Sequence, residues 1–155
     1  MTPAIRALEA AGVWFVAHPY PHDAGRVDFG REAADALGLD PDRVFKTILV
    51  DADGREAVAI VPVSCRVALK AVGAALRCKR VGTCEPSRAE RVTGYVVGGI
   101  SPLGQKRPLP TVIDETCELH ETVFVSGGRR GLDIEVRPAD LIALTEATVA
   151  DIAGG

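Results

Sequence analysis

One lysine stands where a strand pattern calls for an apolar side chain. Lys46 belongs to a series of every second residue that also contains Val44, Ile48 and Val50. Every second residue of a β-strand lies on the same face, so Lys46 shares a face with these apolar residues. An ammonium group held in a cleft has a lowered pKa and can bind a phosphate, carboxylate or ester oxygen as a compact donor. The alternative is that Lys46 extends its aliphatic stem along the apolar face and keeps its charge in water. The sequence by itself leaves both interpretations open.

A glycine-containing segment at residues 94–106 is the second candidate. It contains Gly98 and Gly99, followed by Ser101 and Pro102. Glycine has no β-carbon, so a ligand oxygen can approach successive backbone N–H groups, as in an anion nest or an oxyanion hole. The segment lacks both G-x-x-x-x-G-K-[ST] and G-x-G-x-x-G, which excludes the P-loop and the dinucleotide fingerprint. An ordinary turn after a strand is the alternative interpretation.

A third cluster, residues 125–134, combines a hydroxyl group, glycines, two arginines and a carboxylate. Ser126 offers a polar group beside Gly127. Asp133 lies between Leu132 and Ile134, so in a strand its side chain points to the face opposite theirs. Either Asp133 orients the amine of a ligand or it pairs with an arginine, and the sequence is compatible with both.

No other residues form a persuasive catalytic or metal-binding set. His18 and His22 have i, i+4 spacing, but Pro19 and Pro21 prevent the helix that would place both on one face. The four cysteines, at positions 65, 78, 84 and 117, show no C-x-x-C pairing, and G-x-S-x-G is absent. We therefore expect reduced thiols, no metal and no other cofactor. If the protein is a hydrolase, its nucleophile is expected to come from elsewhere.

Length and composition indicate a globular protein with a core of its own. The chain has 155 residues, of which 47% are hydrophobic and 25% are charged, and a single domain spanning residues 1–155 is expected. A net charge of −3 and the scarcity of aromatic residues disfavour a protein that coats nucleic acid, and no DNA partner is expected. No apolar stretch approaches the ~20 residues of a membrane-spanning helix. Glu9 stands where a secretory signal would be apolar, so we expect a cytoplasmic protein.

The elements that must position these residues alternate irregularly between helix and strand. The clearest prediction is a hairpin, because Asp53 and Gly54 suit a tight turn between two β-branched runs. Asp28 or its neighbour is expected to cap a helix that Gly38 ends. Helices are predicted at residues 3–11, 31–37, 66–76, 85–91 and 138–144, and strands at 13–17, 44–50, 57–63, 111–114, 122–125 and 132–136, with a short strand near Cys78.

Two features of this order indicate the fold class. No regular βαβ repeat occurs, and several strand pairs are close enough in sequence to be antiparallel. Pro19 and Pro21 are expected to hold residues 18–23 in a loop. We therefore predict an α+β fold with a mixed, curved β-sheet, forming a partial barrel, and surrounding helices.

The motifs also resemble those of a known family, in order and in spacing. The sequence resembles the YbaK/EbsC-type Cys-tRNA(Pro)/Cys-tRNA(Cys) deacylases of the bacterial prolyl-tRNA synthetase editing-domain superfamily, nearly from end to end. The resemblance implies an α+β fold with a mixed sheet curved around a pocket. The segments that carry it are residues 1–4, 18, 20, 22–23, 29–30, 37–39, 45–47 (Phe-Lys-Thr), 93–95, 98–106 (Gly-Gly-Ile-Ser-Pro-Leu-Gly-Gln-Lys), 125–128 and 130–135.

The resemblance implies roles for individual residues. Lys46 is implied as the signature lysine beside the scissile ester or the terminal adenosine, and the amides of Gly98 and Gly99 as donors to the ester carbonyl. Ser126 is implied as a further residue of the catalytic set. The residues implied to bind substrate, as pocket walls, loop-shaping residues or polar contacts, are Tyr20, Phe29, Thr47, Ser101, Pro102, Gly127 and Asp133.

The implied activity is trans-editing, the hydrolytic clearance of cysteine from tRNA(Pro). Prolyl-tRNA synthetase mischarges this tRNA because cysteine is close to proline in size. The implied mechanism is substrate-assisted, since the cysteinyl thiol attacks its own ester carbonyl, and this fits the missing nucleophile. The implied partners are the acceptor end of tRNA(Pro) and, in a transient ternary complex, prolyl-tRNA synthetase. Three alternatives stay open: a deacylase of Ala-tRNA(Pro) or of wider specificity, a non-catalytic module that binds aminoacyl ends or nucleotides, and a small-molecule thioesterase.

Overall fold

The computed structural model describes residues 1–154 and has the α+β fold that the sequence predicts. Helices and strands follow one another without a regular βαβ repeat. No helix in this range is long and apolar enough to cross a membrane. The helices are α1 (Pro3–Ala11), α2 (Phe29–Leu37), α3 (Leu69–Leu76), α4 (Pro86–Thr93) and α5 (Pro138–Thr145), and a 3₁₀ helix spans Glu115–Leu119.

The strands form three sheets. The largest sheet has the strand order β5-β2-β3-β6-β9, a second has the order β1-β8-β7, and β10 pairs with β4. An isolated parallel bridge between Val44 and Phe124 links the two larger sheets. The strands are β1 (Phe15–Pro19), β2 (Phe45–Ala52), β3 (Arg55–Pro62), β4 (Arg66–Val67), β5 (Val81–Thr83), β6 (Thr111–Asp114), β7 (Val123–Arg129), β8 (Leu132–Val136), β9 (Thr148–Ala150) and β10 (Ala153–Gly154).

The predicted hairpin lies at the centre of the five-stranded sheet. Strands β2 and β3 are antiparallel, with Lys46 opposite Val61. Asp53 and Gly54 have φ values of 52° and 88°, which is the left-handed turn geometry that an Asp-Gly pair favours. Parallel pairing of β3 with β6, and of β6 with β9, makes this sheet mixed.

A shared apolar core holds the two larger sheets together. The five-stranded sheet contributes Ile60 and Ile113, and the three-stranded sheet contributes Ile134. Leu8 of α1 and Leu141 of α5 pack into the same cluster, and all five side chains are fully buried. Burial of each such side chain stabilises the fold by roughly 1.5–3 kcal/mol. The core side chains of β7 and β8 alternate with side chains on the opposite face, where Ser126 and Asp133 lie together with the buried ring of Phe124.

Strand β1 differs from the prediction, because it continues through His18 and Pro19 instead of ending at residue 17. In its register His18 lies opposite Asp133 and Pro19 lies opposite Leu132. Strand β1 is at the edge of its sheet, so the missing N–H of Pro19 leaves no ladder bond unmade. Tyr20 therefore follows directly at the end of the strand, beside β8.

Helix α2 begins two residues earlier than predicted, and it lacks the predicted side-chain cap. Asp28 occupies the N-cap position but makes no capping hydrogen bond. Its carboxylate instead accepts hydrogen bonds from Arg26 Nε and Nη2, at 2.9 and 2.8 Å. The prediction that Asp28 caps α2 with its side chain is thus wrong, because a charge-assisted bidentate pair with arginine competes for the same oxygens.

Candidate active site

A cavity of about 380 Å³ opens between the start of α2, the start of β2, the loop after α4 and the polar face of β7 and β8. This volume is within the range of small-molecule sites. The residues that line it are Tyr20, Val27, Asp28, Phe29, Gly30, Arg31, Val44, Phe45, Lys46, Thr47, Ile48, Val63, Val97, Gly98, Ile100, Ser126 and Asp133. Most of the residues predicted to form a site are thereby brought together from distant parts of the chain.

Lys46 lines the cavity from β2, together with Val44 and Ile48 of the same strand face. Its side chain is half-buried and has no ion pair or hydrogen bond with the described residues. Burial lowers the pKa of the Lys46 ammonium, and the positive charge of Arg31 lowers it further. A cation that borders a cavity without a partner is suited to an anionic or carbonyl oxygen of a ligand.

The loop between α4 and β6 is anchored before it reaches the cavity. The Tyr95 hydroxyl donates to the Leu103 carbonyl at 2.6 Å, and the Val97 N–H donates to the Glu90 carboxylate at 2.8 Å. The first bond closes the loop on itself and the second ties its beginning to α4, so the residues between Tyr95 and Leu103 hold a defined position at the cavity wall.

The adjacent glycines Gly98 and Gly99 of this loop have different roles. Gly98 has a φ of +89°, and a β-carbon added there would lie 2.8 Å from the Phe29 ring, so the position requires glycine. The Gly98 N–H has no acceptor within residues 1–154. The Gly99 N–H, in contrast to the expectation, donates to the Val96 carbonyl at 2.8 Å and closes a turn. Of the two amides, only that of Gly98 is free for a ligand.

Asp133 and Ser126 form a polar wall of the cavity. They are cross-strand neighbours on β8 and β7, and Asp133 points away from the core side chain of Ile134. Asp133 is 5% exposed, and burial raises its pKa to about 7. Its carboxylate has no hydrogen-bond or ionic partner in the described part of the chain, so the arginine pair considered from the sequence is not formed. An amine of a ligand would restore the ordinary ionisation of this group.

Aromatic rings form the other walls. Burial, and secondly the charge of Asp133, raise the pKa of the Tyr20 hydroxyl to about 12, so this side chain is neutral at pH 7. Phe29 lies under Arg130, whose guanidinium carbon is 4.8 Å from the ring centroid. The Thr47 hydroxyl is buried and has no hydrogen-bond partner among the residues described.

Four predicted residues, Gly99, Ser101, Pro102 and Gly127, do not line the cavity. Ser101 is fully buried, and its hydroxyl oxygen accepts from the Leu103 N–H at 3.2 Å. Gly127 packs so closely that an added β-carbon would lie 2.6 Å from Leu132. Pro102 lines a separate cavity. These residues shape the loop after α4 and the β7–β8 pair.

Residues 27–144, which include Lys46, Gly98 and Asp133, match the aminoacyl-tRNA editing domain family. The chain belongs to this family. It is 30% identical, over 152 residues covering 97% of this chain and 92% of the relative, to the "putative Cys-tRNA(Pro)/Cys-tRNA(Cys) deacylase EbsC" of Enterococcus faecalis. The solved structure of a "putative trans-editing enzyme for prolyl tRNA synthetase" matches with a TM-score of 0.83 and 26% identity, over 100% of this chain and 99% of that chain. The "hypothetical protein APE2540" shares the fold, with a TM-score of 0.87 and 24% identity over 97% and 99% of the two chains.

The cavity of this editing domain includes residues that the sequence patterns did not single out as site residues. The first turn of α2 contributes Gly30 and Arg31, and Val63 lines the same region from just after β3. Gly30 has to be a glycine, because an added β-carbon would lie 2.5 Å from Val63 Cγ1. The only sequence signal was that Phe29-Gly30 belongs to the motifs shared with the family. Nothing marked Arg31, because its place depends on how α2 packs.

Two histidines of the editing domain support its structure outside the cavity. His18 Nε2 lies 2.9 Å from the Glu135 carboxylate, and His22 Nδ1 lies 2.7 Å from that of Glu32. Neither histidine lines the cavity. Residues 1–154 contain no group of three or more His, Cys, Asp or Glu side chains placed to share a metal ion.

Gly98→Ala is expected to lower kcat/KM for aminoacyl-tRNA deacylation by about 10- to 100-fold, because the new methyl group displaces the Phe29 ring and the amide at the cavity wall. Gly54→Ala is a matched control, since its φ of +88° imposes the same backbone strain but no atom lies within 4 Å of the added carbon. Steady-state kinetics and thermal unfolding of both variants test this. Equal kinetic losses in the two variants would show that strain alone, and not the cavity, is responsible.

Proposed function

We propose that this editing domain is a trans-editing deacylase that clears cysteine from mischarged tRNA(Pro), with Cys-tRNA(Cys) as a second substrate. The name of the Enterococcus relative, which gives both substrates, supports this proposal, as does the description of the solved relative as a putative trans-editing enzyme for prolyl tRNA synthetase. The proposed partners are the acceptor end of tRNA(Pro) and, in a transient ternary complex, prolyl-tRNA synthetase. The proposed place of action is the cytoplasm.

The observation that carries the proposal is the complementary chemistry of different walls of one small cavity. Asp133 offers a buried carboxylate without a partner, whereas Lys46 and the Gly98 amide offer unused donors. An aminoacyl ester carries an ammonium group next to its ester carbonyl. In the proposed complex the ammonium contacts Asp133, and the carbonyl oxygen accepts hydrogen bonds from Lys46 and Gly98.

The proposed nucleophile is the thiol of the substrate itself. The sulfur attacks the ester carbonyl carbon, the bond from that carbon to the ribose oxygen breaks, and the thiol proton ends on the ribose hydroxyl. The tRNA leaves with its terminal hydroxyl restored, and the cysteine leaves as a thiolactone that water opens to free cysteine. Within residues 1–154 no histidine or cysteine lines the cavity, and Ser126 Oγ accepts from the Gly128 N–H at 3.2 Å. The protein therefore contributes positioning and oxyanion stabilisation.

The remaining predicted residues receive supporting roles in this proposal. Tyr20 and Phe29 wall the aminoacyl group, the Ser126 hydroxyl provides a polar contact beside Asp133, and Thr47 lines the cavity next to Lys46. The backbone supports that keep these residues in place are Gly99, Ser101, Pro102 and Gly127.

Deacylation should depend on the thiol of the amino acid more than on the tRNA. We expect release of cysteine from both tRNA(Pro) and tRNA(Cys). Serine or alanine should be released from tRNA(Pro) at rates that are lower by at least about 10²-fold, because those esters lack the intramolecular thiol. Single-turnover loss of labelled amino acid from the four substrates measures this.

Other results of the same assay would contradict the proposal. Comparable rates for the cysteine, serine and alanine esters would indicate an attacking water, and a preference for alanine would indicate an Ala-tRNA(Pro) deacylase. If kcat/KM for free cysteine esters equals that for Cys-tRNA(Pro), the protein is a small-molecule thioesterase. Binding of aminoacyl-tRNA without turnover would indicate a non-catalytic module.

A further inference from the structure

The first turn of α2 reaches the cavity with unsatisfied backbone N–H groups. The amides of Phe29, Gly30 and Arg31 have no acceptor within residues 1–154. The first helical hydrogen bond runs from the Glu32 N–H to the Asp28 carbonyl, at 2.9 Å. Free amides at a helix N-terminus, together with the helix dipole, favour an anion.

The acidic groups next to this turn are already satisfied. The Asp28 carboxylate accepts both of its hydrogen bonds from Arg26. The two oxygens of the buried Glu32 carboxylate are taken by His22 Nδ1 and by the Asp23 N–H, each at 2.7 Å. Neither carboxylate therefore caps the free amides, and their charges are offset locally by Arg26 and by hydrogen bonds.

Two cationic side chains adjoin the same turn. Arg31 extends from α2 and Lys46 from β2, both line the cavity, and neither has an ionic partner among the residues described. Arg31 is close enough for its charge to act on Lys46. A guanidinium group beside free backbone amides is a frequent arrangement for binding phosphate oxygens.

An independent feature of the same cavity also points to a ligand. Asp133 is 5% exposed and lines the cavity without a partner, so this wall favours an amine. A ligand that satisfies both Asp133 and the first turn of α2 carries an amine at one end and an anion at the other. An aminoacylated nucleotide has this arrangement, with the nucleoside between the two charges.

We infer that the first turn of α2, with Arg31, binds the phosphodiester that precedes the terminal adenosine of the acceptor strand. The inference rests on the proposed function, because it takes the cavity to hold the aminoacyl end of tRNA. It assigns Arg31 to the binding of the RNA backbone and leaves Lys46 beside the ester.

Two cysteine esters that differ by one phosphate test this role of Arg31. We would measure kcat/KM for 2′(3′)-O-cysteinyladenosine and for its 5′-monophosphate, with the wild-type protein, Arg31→Ala and Arg91→Ala. Arg91 is the matched control, because it is an exposed helical arginine on α4 that does not line the cavity. Arg31→Ala should lower kcat/KM about 10-fold for the nucleotide ester and less than about 2-fold for the nucleoside ester, and Arg91→Ala should lower neither. Equal losses on both esters, or no loss on the nucleotide ester, would overturn the inference.

A binding measurement separates this inference from the proposed function, because it needs no turnover. Wild-type protein should bind AMP about 10-fold more tightly than adenosine, and Arg31→Ala should lose most of this preference. If this preference is present but no cysteine ester is cleaved, the phosphate site stands and the deacylase proposal fails. If esters are cleaved but the AMP preference is absent or independent of Arg31, the phosphate site is rejected. Inorganic phosphate should displace AMP poorly, and displacement at equal concentrations would overturn the assignment to a nucleotide.

Discussion

Replacement of Lys46 by alanine is expected to lower kcat for Cys-tRNA(Pro) deacylation by about 10²- to 10³-fold, which is close to abolition, with the fold intact. Lys46 is a half-buried cation at the cavity and has no partner in the described chain. Attack on the ester carbonyl puts negative charge on its oxygen, and loss of one donor to such an oxygen typically has this effect. The fold should persist, because the Lys46 side chain makes no bond whose loss would leave a buried group unsatisfied.

Lys70→Ala is the matched control for this prediction. Lys70 is an exposed lysine on α3 that does not line the cavity, so its removal should leave kcat unchanged. Lys46→Arg should recover only part of the activity, because a planar guanidinium cannot replace a compact ammonium in a confined space. Single-turnover kinetics would be measured together with circular dichroism. Near-normal turnover by a folded Lys46→Ala protein would reject the assignment of Lys46 to the reaction.

Asp133→Asn is expected to lower kcat/KM by about 10²-fold and, at the same time, to stabilise the folded protein at neutral pH. The kinetic loss follows from the removal of the buried carboxylate that is proposed to hold the substrate ammonium. The stability gain follows because the free protein no longer has to bury a charged group without a partner.

The pH dependence of this stability gain has a definite sign. Burial raises the pKa of Asp133 from 3.8 to about 7, so the folded state binds this proton more tightly than the unfolded state. The energetic cost of ionised Asp133 is therefore absent below pH 3.8, grows as the pH rises to about 7, and is complete above that value. A shift of roughly three pKa units corresponds to about 4 kcal/mol. A buried amide without partners costs about 1–3 kcal/mol, so the net gain of Asp133→Asn above pH 7 should be about 1–3 kcal/mol.

Denaturant unfolding at pH 5 and pH 8, combined with pH profiles of kcat/KM, measures both effects of Asp133→Asn. The wild-type kcat/KM should rise with pH through about 7 as Asp133 ionises, and the variant should lose this rise. Asp151→Asn, at an exposed carboxylate, should change neither quantity. An unchanged pH profile in the Asp133 variant, or a variant that is less stable than wild type at pH 8, would contradict the description of Asp133 as a buried carboxylate awaiting a cation.

The features that the sequence predicted correctly are those decided by near neighbours in the chain. The hairpin turn follows from Asp53 and Gly54, because both residues have positive φ values and an Asp-Gly pair favours this turn geometry. Lys46 shares a strand face with Val44 and Ile48, because residues two positions apart lie on the same face of a strand. The same rule places the Asp133 side chain on the face opposite to its adjacent apolar residues. These features depend only on residues close in sequence, so their prediction does not require the position of the strand in the fold.

Features that depend on the arrangement of whole elements were not predictable in this way. Pro19 is tolerated in β1 because that strand lies at a sheet edge, and the strand order is not visible in local spacing. Gly99 was expected to face the substrate together with Gly98, but loop closure uses its amide for Val96. Arg31 enters the site only because α2 points its first turn into the cavity. In each case a contact distant in sequence decides the role of the residue.

The most direct test of the account is a crystal structure of the protein bound to an adenosine that carries cysteine through a non-hydrolysable 3′-amide. We predict that the ammonium group of this analogue lies within about 3.2 Å of the Asp133 carboxylate, and its carbonyl oxygen within about the same distance of the Gly98 N–H or the Lys46 ammonium. An analogue bound outside this cavity, or bound inside it with its amine away from Asp133, would contradict the account.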